Sequence, residues 1–202
     1  MKLVGRMLSP FVRRVAATLN LYDMAWESWP LSTVSDMAEI LRVNPVGRVP
    51  VLYLDDGEML LDSSAILDHL DELAGGRALT PRGGAERRAV LRATAIALGT
   101  AEKSVAAFYE SKRRPEELRW PDGLGMVMAQ ARGGFAALEA MLEGQDHLVL
   151  GRLTQADVTA VIALEFIETV LPDLPEAPLL RLSALRDRLN RDARFASTKF
   201  TG

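Results

Sequence analysis

The chain has 202 residues, of which 49% are hydrophobic and 25% are charged, a composition typical of a folded protein rather than a disordered one. The formal net charge of -3 offers no basic surface for nucleic acid, and the absence of cysteine excludes disulfides, thiolate metal sites and a cysteine nucleophile. No segment has the apolar length of a membrane span or the pattern of a signal peptide. We therefore expect a cytoplasmic protein with no nucleic-acid or membrane partner.

The N-terminal segment predicts a strand followed by a helix. Residues 2–5, "KLVG", form a short apolar run that suits a first strand. Ser9 followed by Pro10 is typical of a helix start, because a serine hydroxyl caps free N–H groups and proline fits the first helical position. The apolar side chains that follow recur at helical spacing, which places Arg13 and Arg14 on the expected solvent face.

Three more strands and two more helices are expected before residue 77. "AWESWPL" (25–31) is a weak second strand, and "TVSDMAEILRV" (33–43) predicts a helix. Asp56-Gly57 lies between two apolar runs, which is the strongest short signal for a β-hairpin. "SSAILDHLDELAG" (63–75) predicts a further helix. This order indicates an α/β domain over residues 1–76 with a mixed four-stranded sheet.

The rest of the chain has a different character. After a linker at about 77–84, no convincing strand is found from residue 85 to 202, and four long helical patterns follow one another. We therefore predict an all-helical second domain over 85–202. Within it, Thr154 and Asp157 form the S/T-x-x-D pattern of a capping box at the start of a helix.

Three short motifs can bind a ligand as well as shape the backbone. Ser9 either only caps its helix or faces a bound anion, because a helix N-terminus presents free N–H groups and positive partial charge. The Val49–Pro50 bond is either an ordinary strand start or a cis bond, which would let the main chain of Val49 pair with a peptide-like ligand. Asp62 or Ser63 either caps the next helix or binds the two charges of an amino-acid head group.

Taken in order, these motifs resemble the cytosolic glutathione transferase family, and the serine-type, bacterial-like members in particular. "SPFVRRV" follows the first strand, "NPVGRVPVL" comes about forty residues later, and "DSSAI" precedes the all-helical region. "LTQADV" occurs where the family has a buried capping motif, so the resemblance covers the whole chain. It implies a thioredoxin-like N-terminal domain that binds glutathione, a helical domain that forms the electrophile side of the cleft, a homodimer and no metal.

The resemblance also implies roles for particular residues. Ser9 would be the catalytic residue, donating a hydrogen bond to the glutathione thiolate without ionising itself. Val49, before a cis Pro50, would pair with the backbone of the cysteinyl unit. Asp62 and Ser63 would bind the γ-glutamyl head, with Ser63 taking its carboxylate.

Two positions leave alternatives open. Many relatives have glutamate where this chain has Asp62, and the shorter side chain could loosen the contact with the ammonium group. Arg48 either reaches the glycyl carboxylate of glutathione or is a solvated charge in a turn.

The function implied is conjugation of the glutathione thiolate to small apolar electrophiles. The alternatives are a glutathione-dependent isomerase or dehalogenase that uses the same site, and a non-catalytic adaptor with this fold. Family members with cysteine at the Ser9 position carry out redox chemistry, which a chain without cysteine cannot perform through a mixed disulfide. The presence of Ser9 together with Asp62 and Ser63 favours a working glutathione site over an adaptor.

Overall fold

The computed structural model, which describes residues 1–201, has a mixed four-stranded sheet in its N-terminal part. Strands β1 (Lys2–Val4), β2 (Glu27–Trp29), β3 (Val51–Tyr53) and β4 (Met59–Leu61) lie in the order β2-β1-β3-β4. Strand β1 is parallel to β2 and antiparallel to β3, and β3 is antiparallel to β4. The predicted sheet and its thioredoxin-like connection pattern are confirmed.

Three helices accompany the sheet in the predicted positions: α1 (Pro10–Leu21), α2 (Met37–Val43) and α3 (Ser63–Ala74). The apolar spacing seen in the sequence gives each helix a side that is buried against its neighbours. Strands β1 and β3 and helix α2 supply most of one buried apolar cluster, which consists of Val4, Leu31, Ile40, Val43 and Val51. The Asp-Gly hairpin between β3 and β4 is also present, and Gly57 supplies the positive φ of 90° that its turn requires.

The chain forms two units with separate internal packing. The first contains residues Met1–Thr80 together with the segment from Leu189 onward, and the second contains Pro81–Arg188. The predicted helical domain extended over 85–202, whereas the last residues pack with the first unit. The reason is a short helix, α8 (Ala193–Ala196), which lies against α1 and buries Phe195.

Four longer helices follow residue 80: α4 (Gly84–Phe108), α5 (Pro121–Met141), α6 (Gln155–Val170) and α7 (Leu180–Leu189). Helix α4 packs against both α5 and α6. Helix α5 approaches α4 closely at Gly134, where an added Cβ atom would lie 2.0 Å from the Thr100 Oγ1 atom. No helix within residues 1–201 is both long and apolar enough to cross a membrane.

The capping box at the start of α6 is present and fully buried. The N–H and the hydroxyl of Thr154 donate to Asp157 Oδ2 at 2.8 and 2.9 Å, and the N–H of Leu148 donates to Oδ1 at 2.8 Å. His147 Nδ1 lies 3.6 Å from the same Oδ1 atom. Burial raises the pKa of the Asp157 carboxyl above its ordinary value, and the hydrogen bonds from Leu148 and Thr154 oppose that shift.

Candidate functional site

Ser9 occupies the N-cap position of α1. Its backbone is extended, Pro10 is the first helical residue, and the Ser9 Oγ atom accepts a hydrogen bond from the N–H of Val12 at 3.4 Å. A hydroxyl that accepts in this way still has its own proton to donate. Capping the helix and binding an anion are therefore compatible roles for this one side chain.

The loop before β3 is organised by a buried asparagine. Asn44 is only 4% exposed; its Nδ2 atom donates to the carbonyl of Arg48 at 2.8 Å, and its Oδ1 atom accepts from the N–H of Val46 at 3.0 Å. The Val49–Pro50 peptide bond that follows is cis. In the part of the chain that the structure describes, no loop or turn hydrogen bond occupies the main chain of Val49. The Arg48 residue itself is exposed.

Asp62, rather than Ser63, is the cap of α3. Its Oδ1 atom accepts from the N–H of Ser64 at 2.8 Å, and its φ of 67° is unusual for a residue other than glycine. Asp62 is exposed, and its carboxylate has a second oxygen with which to accept from a cation. Ser63 is the first residue of the helix and is only 2% exposed.

The expectation that Arg13 and Arg14 face solvent is wrong, because they are only 4% and 2% exposed. Arg13 Nε donates to Thr198 Oγ1, and Arg14 Nη1 donates to Ser63 Oγ, each at 3.4 Å. The physical reason is that α1 is covered by both α3 and α8. The long stems of the two arginines are therefore packed inside the first unit, and their heads bond to polar side chains there.

Gly5 connects two of the motifs. A Cβ atom at this position would lie 2.5 Å from Val12 Cγ2 and 3.0 Å from Val49 Cβ, so the first turn of α1 and the cis-proline loop meet across a residue without a side chain. Arg14 connects α1 to the start of α3 through Ser63. Direct contacts within the first unit thus join all three motifs that were singled out from the sequence.

Comparison with known proteins identifies the group to which this fold and site belong. The family model for the N-terminal domain of glutathione S-transferase matches residues 3–78, and the model for the C-terminal domain matches residues 126–192. A solved glutathione transferase family member from Pseudomonas fluorescens Pf-5, with bound glutathione, is 30% identical with a TM-score of 0.87 and covers 100% of this chain and 99% of its own. The chain belongs to the glutathione transferase family.

Two curated relatives in this family match over shorter stretches. The uncharacterized GST-like protein YibF of Escherichia coli is 31% identical over 116 residues, which is 56% of each chain. Maleylacetoacetate isomerase of Pseudomonas aeruginosa is 38% identical over 77 residues, which is 36% of each chain. The matches therefore span about half or less of these relatives' lengths.

The residues present fit the tripeptide that the family is named after. Two serine hydroxyls, an exposed carboxylate and a main chain next to a cis-proline can together pair with a thiolate, an ammonium group, a carboxylate and an extended peptide. Within residues 1–201, no cluster of three or more histidine, aspartate or glutamate side chains is arranged to hold a metal ion.

The supporting residues of the site were not predicted from the sequence. Gly5 comes directly after the first strand, and Asn44 opens a loop that contains proline and glycine. An asparagine in that position often bonds to its own loop, so it was a usable signal. The close approach at Gly5 depends on Val49, which is far away in the sequence, and only the folded chain reveals it.

Replacement of Gly5 by alanine is expected to destabilise the first unit by about 2 to 4 kcal/mol and to weaken glutathione binding, because the new methyl group collides with Val12 and Val49. Urea unfolding and calorimetry measure the two effects. Gly57→Ala is the matched control: Gly57 also has positive φ, but an added Cβ meets nothing within 4 Å, so only backbone strain of about 1 kcal/mol is expected. Equal losses of stability and of glutathione affinity in the two variants would show that the close approach at Gly5 is unimportant.

Proposed function

We propose that this protein is a cytoplasmic, homodimeric glutathione transferase that joins the glutathione thiolate to small apolar electrophiles. The observation that carries the proposal is the contact, through Gly5, between the helix start capped by Ser9 and the cis-proline loop at Val49. The family member from Pseudomonas fluorescens with bound glutathione supports the choice of ligand.

Ser9 has the properties that stabilisation of a thiolate requires. A free thiol has a pKa of about 8.5 and is mostly protonated at neutral pH, whereas the thiolate is the nucleophile. Lowering that pKa to about 6.5 requires about 2.7 kcal/mol of differential stabilisation. A charge-assisted hydrogen bond from the Ser9 hydroxyl contributes about 1.5 to 3 kcal/mol, and the positive end of α1 adds to it.

The remaining binding groups surround this donor. Val49, next to Pro50, offers its main-chain N–H and C=O to the cysteinyl backbone of the tripeptide. Asp62 takes the ammonium group of the γ-glutamyl head, and Ser63 takes its carboxylate. Arg48 is exposed at the end of the Asn44 loop, and we assign the glycyl carboxylate to it.

Replacement of Asp62 by asparagine tests the head-group assignment without removing the helix cap. Asparagine tolerates positive φ and can still accept from Ser64, so stability should change by less than about 0.5 kcal/mol. Affinity for glutathione should fall about tenfold, because a charged hydrogen bond to the ammonium group is lost. Titration calorimetry measures the affinity.

Two controls make this prediction specific. Asp56→Asn changes an aspartate whose Oδ1 atom similarly accepts from the N–H of Glu58 at 3.0 Å, but in the hairpin turn, and it should leave affinity unchanged. Glutaryl-cysteinyl-glycine, which lacks the ammonium group, should bind the wild type and Asp62→Asn equally well. If Asp62→Asn lowered the affinity for both ligands by the same factor, the Asp62 carboxylate would not be the partner of the ammonium group.

The activity itself is tested with chlorodinitrobenzene. In the conjugation step the sulfur forms a bond to the ring carbon, chloride leaves with the bonding electron pair, and the thiol proton passes to solvent. We expect saturable turnover with glutathione and binding heat below millimolar concentration. Absence of both turnover and binding heat would contradict the proposal and favour the adaptor function. The proposed dimer is tested separately, by sedimentation at micromolar protein concentration.

A second candidate is isomerisation, which the 38% identity to maleylacetoacetate isomerase favours. The two reactions differ in stoichiometry: conjugation consumes one thiol per turnover, whereas isomerisation returns it. Titration of free thiol during turnover of an unsaturated acid therefore separates them. Constant thiol with product formation would identify an isomerase, and equimolar loss would identify a conjugating enzyme.

A further inference from the structure

Arg14 is buried directly behind a residue of the proposed head-group site. Its Nη1 atom donates to Ser63 Oγ at 3.4 Å, although the two residues are 49 positions apart in the chain. Both are only 2% exposed. An arginine this deeply buried is uncommon, and its contact with the first residue of α3 calls for a role.

The chemistry of the pair determines which atom donates. A guanidinium has only donors, so the Ser63 oxygen must act as the acceptor toward Arg14. The Ser63 hydroxyl keeps one proton, and its rotation is limited because one lone pair is already engaged. The proton is therefore available to an acceptor other than Arg14, and a carboxylate is a group that only accepts.

The neighbouring arginine has a different set of partners. Arg13 Nε donates to Thr198 Oγ1 at 3.4 Å, and the Arg13 guanidinium lies 5.4 Å from the ring centroid of Phe195. Both partners belong to the C-terminal segment of the first unit. These contacts connect Arg13 to the C-terminal segment, whereas the hydrogen bond from Arg14 to Ser63 reaches the start of α3.

We propose that Arg14 is a positioning residue that orients the Ser63 hydroxyl toward the carboxylate of the γ-glutamyl head group. Arg14 acts through Ser63 and does not itself touch the ligand. This inference rests on the proposed function, since it assumes that glutathione is the ligand. It adds a source of selectivity: the site discriminates in favour of a ligand that carries a carboxylate at this position.

The experiment compares two ligands by titration calorimetry on the full-length protein. One is glutathione, and the other is γ-aminobutyryl-cysteinyl-glycine, which is the same tripeptide without the α-carboxylate of its head group. The dissociation constant of this analogue divided by that of glutathione measures how strongly the site discriminates in favour of the carboxylate. In Arg14→Met we expect this ratio to fall about tenfold, because the affinity for glutathione falls while the affinity for the analogue stays the same.

A second variant keeps the test valid if Arg14→Met folds poorly. Arg14→Lys retains a buried positive charge, but its shorter head withdraws the donor from Ser63, so the ratio should fall here as well, by about threefold to tenfold. In a Ser63→Ala background the Arg14 substitutions should change the ratio no further, because the group that they position is absent.

Arg13→Met is the matched control, as it removes an equally buried arginine from the next position of the same helix. It should lower the thermal midpoint but leave the ratio at the wild-type value. An unchanged ratio in both Arg14 variants, or an equal fall in Arg13→Met, would overturn the role of Arg14 alone. Failure of the wild type to bind either tripeptide would overturn the proposed function together with this inference.

Discussion

Ser9→Ala is expected to lower kcat/KM for conjugation about tenfold to hundredfold, with a smaller effect on the affinity for glutathione. In the proposed role the hydroxyl donates a charge-assisted hydrogen bond of about 1.5 to 3 kcal/mol to the thiolate, and loss of that energy would lower the rate by the corresponding factor. In the proposed site Val49, Asp62 and Ser63 would still hold the rest of the tripeptide, so we expect binding to be largely retained.

The same substitution should raise the pKa of the bound thiol toward its free value of about 8.5. Ultraviolet absorbance of the thiolate, followed against pH in the complex, measures this directly. The pH at which conjugation reaches half its maximal rate should move upward by the same amount, because both report the same proton.

The control must separate the hydroxyl from the helix cap. Ser9 Oγ accepts from the N–H of Val12, so Ser9→Ala also loses a cap worth about 1 kcal/mol of stability. Ser9→Gly separates the two, because glycine at the cap position costs only roughly a few tenths of a kcal/mol while the hydroxyl is lost, so it should lose as much activity as Ser9→Ala. Ser9→Thr keeps both the cap and the hydroxyl and should retain most of the activity. If Ser9→Ala kept the wild-type rate and thiol pKa, Ser9 would have no role beyond capping α1.

Asp157→Ala is expected to destabilise the protein by about 3 to 5 kcal/mol. The carboxylate is fully buried and accepts from the N–H of Leu148 and from both the N–H and the hydroxyl of Thr154. Each buried donor left without a partner costs about 1 to 3 kcal/mol. The loss should lower the urea midpoint and the yield of folded protein.

Asp192→Ala provides the comparison for Asp157→Ala. Asp192 also caps a helix, α8, where it accepts from the N–H of Arg194 at 2.9 Å, but it is partly exposed. Water can replace the Asp192 carboxylate as the acceptor, so we expect the free energy of unfolding to fall by only about 1 kcal/mol. If the two variants lost the same stability, the network around Asp157 would contribute no more than an ordinary exposed cap.

Much of the fold could be predicted because its signals are local. Ser9-Pro10 at a helix start, Asp56-Gly57 at a hairpin, and Thr154 with Asp157 at a capping box each place an element within a few residues of the signal. The backbone geometry that these residues favour agrees with the fold. These local signals predicted the order of the strands and helices, and that order supported the resemblance to the family.

The features that could not be predicted all depend on distant parts of the chain. Arg13 and Arg14 follow the pattern of a solvent face, and they are buried because α3 and α8 cover α1. The approach of Val49 to Gly5 and the packing of the segment after Leu189 with the first unit have the same origin. Helical periodicity describes one element at a time and carries no information about what covers it.

A crystal structure of the protein grown with glutathione tests the central claim most directly. We expect the sulfur within hydrogen-bonding distance of Ser9 Oγ, the cysteinyl main chain paired with Val49, and the head-group carboxylate at Ser63. A tripeptide bound elsewhere on the protein, or one whose sulfur points away from Ser9, would contradict the account.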